Sequence, residues 1–307
     1  MRNIESYKPE KKVARKVPRG FSKSKNSKKK ADNNFDIKSD PKVVINAIKY
    51  TLVSGLLITL IVFSAYKIIR WKAESDSTND FATMLQQNTK ITTITEPETN
   101  PNSPSGKNLG EDKFKNIGLI DADISELRET NGETVGWINV PGTSINYPFV
   151  KTDNNDFYLY HTFDGHWSDA GWVFLDYRNQ TNLSDQNQII YAHGRIDGSM
   201  FGSLQNILSD EWQNNPDNHF VKTSTDTNSQ LWQVFSVYRI PKTNDYITVS
   251  FNNDSKFANF IDMVKNRSTY DFGVGVEPTD RILTLSTCIG TDDRAVLHAK
   301  LVKVIEK

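Results

Sequence analysis

One cysteine, Cys288, in a chain of 307 residues excludes an internal disulfide framework and any zinc site built from several thiolates. A lone thiol is most often a small buried hydrophobe, so chemistry at Cys288 has to be argued from its surroundings. Internal repeats are absent as well, which excludes solenoid and propeller architectures. Net charge is also missing, since 37 Lys+Arg balance 37 Asp+Glu. The balance hides an asymmetry: residues 1–49 hold 15 basic and 5 acidic residues, which leaves 22 and 32 to residues 50–307. Such a split predicts two different surroundings for the two parts.

Charge disappears altogether from Tyr50 to Tyr66, 17 residues bracketed by Lys49 and Lys67. At about 1.5 Å per residue this run nearly crosses a hydrocarbon core of about 30 Å. Ile68, Ile69 and snorkelling of the flanking lysines supply the rest, so a transmembrane helix is expected over 50–69. The basic stretch ahead of it is too long for a signal peptide, and no clear small-x-small cleavage site follows. The positive-inside rule then puts residues 1–49 in the cytoplasm and the remainder outside the cell. The basic tail has few aromatics and no fold around it. It suits a solvated segment touching anionic headgroups better than a nucleic-acid binder. Residues 70–116, rich in Thr, Asn, Ser, Glu and Pro, are expected to form a flexible extracellular stalk.

The folded domain is expected over 117–307. It opens on a short helical pattern, DADISELRETNG, stopped by Asn131–Gly132. Short apolar runs bounded by turn residues follow: VGWINVPG, INYPFV, GWVFLDY, NQIIYAHG, QLWQVFSVYRI, YITVSF, RILTLSTC and RAVLHAKLVKVIE. Eight strands at this spacing predict a mostly β fold, a barrel or a sandwich. Between the last two of these and YITVSF lies SKFANFIDMVKN, where Phe257, Phe260, Ile261 and Val264 mark the face of an amphipathic helix. Trp137, Trp172 and Trp232 read as core or rim aromatics.

RILTLSTC ends at Cys288 and RAVLHAKL begins at Arg294, with IGTDD between them. Paired as an antiparallel hairpin, the two strands bring Cys288 and Arg294 to one rim of the sheet. His193 ends a third strand, NQIIYAH. A free thiol has a pKa of about 8.5, so attack on an amide at neutral pH calls for a nearby cation. His193 as imidazolium can supply it and then protonate the leaving amine, and Arg294 can bind the developing oxyanion. Spacing alone leaves the ordinary readings open: Arg294 as a hairpin charge, His193 as a turn residue. Asp292 and Asp293 read as a solvated turn or as partners of Arg294. His298 reads as core or groove wall, and His161, His166 and His219 lack metal-ligand spacing.

TLSTC followed by an Arg that opens HAKL resembles the catalytic end of sortases, and YAHGRIDGSMF is similar to the histidine loop of that family. GWINVPGTSINYPFV, Asp153–Asn154, FYLYH, GWVFLDYRN and the late helix resemble the class B members in particular, over residues 121–307. The resemblance implies an eight-stranded sortase-type β-barrel, with a helix at the start of the domain and an extra helix between late strands. It implies a membrane-anchored cysteine transpeptidase of a Gram-positive cell surface. Such an enzyme cleaves an LPXTG- or NPXTN-like sorting signal through an acyl-thioester and transfers the protein to an amine of a peptidoglycan precursor. A pilin lysine as acceptor and a non-catalytic assembly module are the alternatives. A papain-like hydrolase fits less well, because there the cysteine opens a helix. Carried over by position, Cys288 is the nucleophile, His193 the general acid and Arg294 the oxyanion ligand. Asn155, Leu159, Tyr246, Ile247, Ser286 and Thr287 then fall in or beside the signal groove. No cofactor, metal or nucleic acid is implied. The chain departs from the family pattern at Ala192, where glycine is common, at Ile289, where a polar residue is expected, and in the short IGTDD loop.

Overall fold

The computed structural model describes residues 40–95, 112–289 and 293–307. The basic tail up to residue 39, residues 96–111 of the expected stalk and residues 290–292 of the Cys–Arg loop lie outside them. The chain divides into two compact units, Met1–Leu60 and Ile61–Lys307. In the first, helix α1 (Pro41–Asn88) begins. Its Val43, Ile48, Leu52, Leu56 and Leu57 are exposed, and α1 is the one helix among the described residues long and apolar enough to cross a membrane.

In the second unit α1 continues well past the apolar run. Where a stalk is expected from residue 70, the helix extends to Asn88, and strand β1 (Ile91–Ile94) pairs with β2 (Leu119–Ala122). The polar composition of 74–88 conceals a stripe at helical spacing, Ser75, Thr78, Ala82 and Leu85, all buried. Beside it Phe81 meets Trp172 edge to face at 6.1 Å. A short α2 (Ile124–Thr130) follows, capped by Asp123, whose carboxylate accepts from the Ser125 amide.

The remaining strands are β3 (Thr134–Asn139), β4 (Asn146–Val150), β5 (Phe174–Leu175), β6 (Asn187–Ala192), β7 (Phe220–Thr225), β8 (Asn228–Pro241), β9 (Ile282–Ile289) and β10 (Asp293–Glu306). Between β6 and β7 lies the one-turn α3 (Asp210–Gln213), and between β8 and β9 lies α4 (Asp254–Arg267). These eight strands close into a mixed barrel in the order β10-β8-β7-β3-β4-β5-β6-β9. The pairs β4·β5 and β6·β9 are parallel, the others antiparallel.

The eight strands differ from the expected eight by one exchange. YITVSF has a strand-like alternation, but closure leaves no free barrel edge for it to join. It runs as irregular chain, with its Val249 and Ile247 carbonyls accepting from the Asn187 amide and the Arg178 guanidinium. The eighth place is taken by β7, FVKTST, whose buried inward groups include the Thr223 hydroxyl, which accepts from the Trp232 indole at 2.9 Å. Among the buried residues of β7 only Val221 is apolar, so the strand carries too little hydrophobic alternation for a search for apolar runs to find it.

Strands β9 and β10 are buried on both faces. Leu283, Leu285, Ala295, Leu297 and Ala299 fill the barrel. The alternate positions Ile282 and Val296 lie under α4, against Phe257, Phe260, Ile261 and Val264. All four residues of the expected amphipathic stripe are therefore buried. Phe257→Ala should empty the centre of this layer and cost about 3–5 kcal/mol. A urea titration checks this: the midpoint should fall while the slope is retained.

Candidate active site

The site forms where β6, β9 and β10 end together. Antiparallel pairing of β10 with β9 sets Arg294 directly across from Cys288, and Val296 across from Ser286. On the other side of β9, parallel β6 sets Tyr191 beside Ser286 and Ala192 beside Thr287. His193 directly follows Ala192, and Cys288 directly follows Thr287, so both leave the paired strands at the end where Arg294 stands across from Cys288. The three candidate residues are thus gathered by backbone register.

His193 is half-buried, and its Nε2 lies 2.8 Å from the Leu159 carbonyl. A carbonyl only accepts, so Nε2 carries a proton and Nδ1 is the nitrogen left to exchange one. The loop after His193 closes on itself: the Phe201 amide donates to the His193 carbonyl at 3.0 Å, and Gly194 bridges Met200. Gly202 is required there, because a Cβ would collide with the Arg195 carbonyl.

Arg294 donates to the Asp293 carbonyl at 3.0 Å. The Asp293 carboxylate is taken by Arg239, with Nε and Nη2 both at 2.7 Å, and so does not neutralise Arg294. Of the two readings left open for Asp293, neither a free turn nor a partner of Arg294 is what forms. Asp292 lies outside the described residues.

Beside these strand ends runs a groove of about 280 Å³. Its lining includes Asn155, Leu159, Tyr246, Ile247, Ser286, Thr287 and Arg294, so every groove residue expected from the sequence lies on one surface with the arginine. The Tyr246 and Ser286 hydroxyls meet at 2.9 Å. Lys242, Thr243 and Asn244 also line it, though no sequence pattern marked them.

Asp176 is a further residue missed in sequence. Fully buried, it accepts from Asn155 at 3.0 Å, from Arg178 at 2.8 and 2.7 Å, and from the Tyr191 hydroxyl at 2.9 Å. Burial opposes its charge, yet these donors outweigh it and hold its carboxyl below the usual range. Asp176 thereby ties two groove residues, Asn155 and Tyr191, to one buried anion. The Asp-x-Arg pattern in LDYRN was its only trace.

His298 belongs to the support of the site. It is fully buried, its Nε2 is 2.9 Å from the Tyr238 hydroxyl, and its Nδ1 is 2.9 Å from the Thr284 hydroxyl. The other histidines sit in local contacts: His161 Nδ1 with the Phe157 carbonyl, His166 with Asp164, His219 Nε2 with the Gln213 carbonyl. Among the described residues no three His, Cys, Asp or Glu side chains converge as metal ligands.

The structure is a closed mixed barrel that brings a cysteine, a histidine and an arginine to the same end of neighbouring strands. Comparison with known proteins gives the particular family. The sortase-domain family model matches residues 138–302. Sortase B of Listeria monocytogenes is 35% identical over 190 residues, covering 60% of this chain and 76% of that protein. Sortase B of Staphylococcus aureus is 29% identical over 258 residues, covering 83% and 97%. Among solved structures, sortase B from B. anthracis superposes with a TM-score of 0.61 at 30% identity, over 75% of this chain and 99% of that one. The S. aureus sortase B–substrate complex gives 0.55 at 33%, over 58% and 84%. The chain belongs to the sortase family, as a class B sortase, and is a cysteine transpeptidase.

Burial, with the charge of Arg267 adding to it, pushes the His298 imidazole down to about 3. The folded protein keeps this ring neutral where the unfolded chain, at about 6.5, takes up a proton. Stability is therefore lost as pH falls below about 6.5, by up to about 1.4 kcal/mol per pH unit. Denaturant midpoints at pH 6.5 and 5 should show this loss, and His298→Gln should flatten the difference.

Proposed function

We propose that this transpeptidase cleaves a C-terminal sorting signal, LPXTG- or NPXTN-like, and passes the acyl group to an amine of a cell-wall precursor. Cys288 is the nucleophile, and the enzyme class needs a thiol that this sequence offers only once. The observation that carries the reading is the register that sets Cys288 across from Arg294 and pairs Thr287 with Ala192, the residues just before Cys288 and His193.

In this scheme the signal lies extended in the groove, against Leu159, Tyr246, Ile247, Ser286 and Thr287, with Asn155 held by Asp176. The Cys288 thiolate attacks the scissile carbonyl, and the Arg294 guanidinium faces the oxygen that gains charge. His193 gives its proton to the leaving amine, from Nδ1 if Nε2 stays on Leu159. The thioester then reacts with the acceptor amine, which restores the thiol. The apolar run 50–69 anchors the chain in the cell membrane with residues 1–49 inside and the catalytic domain outside. The excess of Lys and Arg in the tail supports that orientation.

The intact chain in detergent should cleave a quenched peptide of one of the two signal types, and Cys288→Ala should lower the rate by at least about 10³-fold. A methanethiosulfonate reagent should label the native thiol and stop cleavage. Cleavage that survives Cys288→Ala, or none with either signal, would overturn the assignment.

A further inference from the structure

A transpeptidase needs room for two substrates, and the groove accounts for one. Immediately beyond its Leu159 wall the chain exposes a group of aromatic rings. Tyr160 and Trp167 stack in parallel, 5.4 Å apart at 6°. They remain 45% and 64% exposed, a large apolar area for a protein surface to leave open. His161 stands edge-on to Trp167 at 5.5 Å and stacks on Phe157 at 3.9 Å.

The platform is built, not loose. His161 bridges Trp167, the Ser168 amide donates to the Tyr160 carbonyl, and the Thr162 amide donates to the His166 carbonyl, both at 2.9 Å. It also reaches the candidate histidine: the Tyr160 ring lies 6.4 Å from the His193 ring. Along its other side Trp167 shares a cavity of about 340 Å³ with two carboxylates, Glu74 of α1 and Asp164. Asp164 is paired with His166 at 2.9 Å, and Glu74 accepts from the Asp169 amide at 2.7 Å.

Electron-rich ring faces beside carboxylates attract a cation, with Trp the strongest of the rings. The acceptor of the second half-reaction is an amine, and at neutral pH it arrives as an ammonium. We propose that the Tyr160–Trp167 platform, with Glu74 and Asp164, is the docking surface for the ammonium-bearing peptide acceptor, and that it delivers the amine on the His193 side of the thioester.

This inference rests on the acyl-thioester reading above. The ammonium first gives a proton to His193, left neutral by the acylation step. The free amine attacks the thioester carbonyl, the new C–N bond forms, and the C–S bond breaks. The second nitrogen proton goes to the departing thiolate, so the products are the amide, the thiol and a protonated histidine. The cationic acceptor gathers on the aromatic side, and the neutral stretch of signal lies on the groove side.

Two measurements on the intact chain test this. In the first, Cys288→Ala protein is titrated calorimetrically with a glycine tripeptide and with its N-acetylated form. The free amine should bind at least about fivefold more tightly, and Trp167→Ala in the same background should remove the difference. Equal binding of the two peptides, or no effect of Trp167→Ala, overturns the proposal whether or not any sorting signal is cleaved.

In the second, the Cys288 enzyme is given its sorting peptide with and without the tripeptide. Trp167→Ala and Glu74→Gln should raise the KM for the tripeptide about five- to tenfold, with Trp167→Phe intermediate. Signal hydrolysis without acceptor should stay at the unsubstituted rate. If hydrolysis and aminolysis fall together, Trp167 merely supports the loop and the proposal fails.

Discussion

The parallel pairing of β6 with β9 is the constraint on which the site depends. Ala192 beside Thr287 and Tyr191 beside Ser286 fix where the chain leaves β6, one residue before His193, at the end of β9 that carries Cys288. A hairpin can form β9 and β10 with local information, but a parallel neighbour needs a long connection and a sheet already in place. Barrel closure supplies that neighbour. Slippage by one residue would turn every side chain of the strand to the opposite face. The buried alternation of Leu283 and Leu285 against Ile282 and Ser286 is what prohibits it.

Polar groups reinforce this register inside the sheet. Asn187 accepts from the Thr284 hydroxyl across β6 and β9, and His298 bonds Thr284 and Tyr238 across β9, β10 and β8. Buried polar chains of this kind must be satisfied throughout or they destabilise, so they admit one alignment of the strands. The α4 layer covers them and keeps the His298 ring out of water. The cover over β9 and β10 ends short of Arg294, which remains half-exposed in the groove.

How much of this could be read in advance varied with how local the cause was. The α4 stripe was legible because four residues on one helix face report burial directly. The hairpin between Cys288 and Arg294 was legible because five residues join two β-rich runs. Strand β7 was not, since Val221 is the one apolar side chain among its buried positions, the others being threonines and a serine. The docked stretch of α1 after residue 74 was hidden by its polar composition. Its buried stripe is made of small residues and one leucine, and only the surface it meets makes it a stripe. Asp176 and the Asp293–Arg239 pair escaped notice because a carboxylate's partner is a matter of approach in space.

The sequence by itself determined the apolar run that can cross a membrane, the alternation that makes a β fold, and a single thiol placed one tight loop before an arginine. These follow from periodicity and spacing, which act between near neighbours along the chain. The tertiary structure alone decided that β6 lies beside β9, that YITVSF stays out of the barrel as irregular chain, and that Asp293 is claimed by Arg239. Each of those depends on which edges remain free once the barrel has closed, a condition that no short stretch of sequence contains.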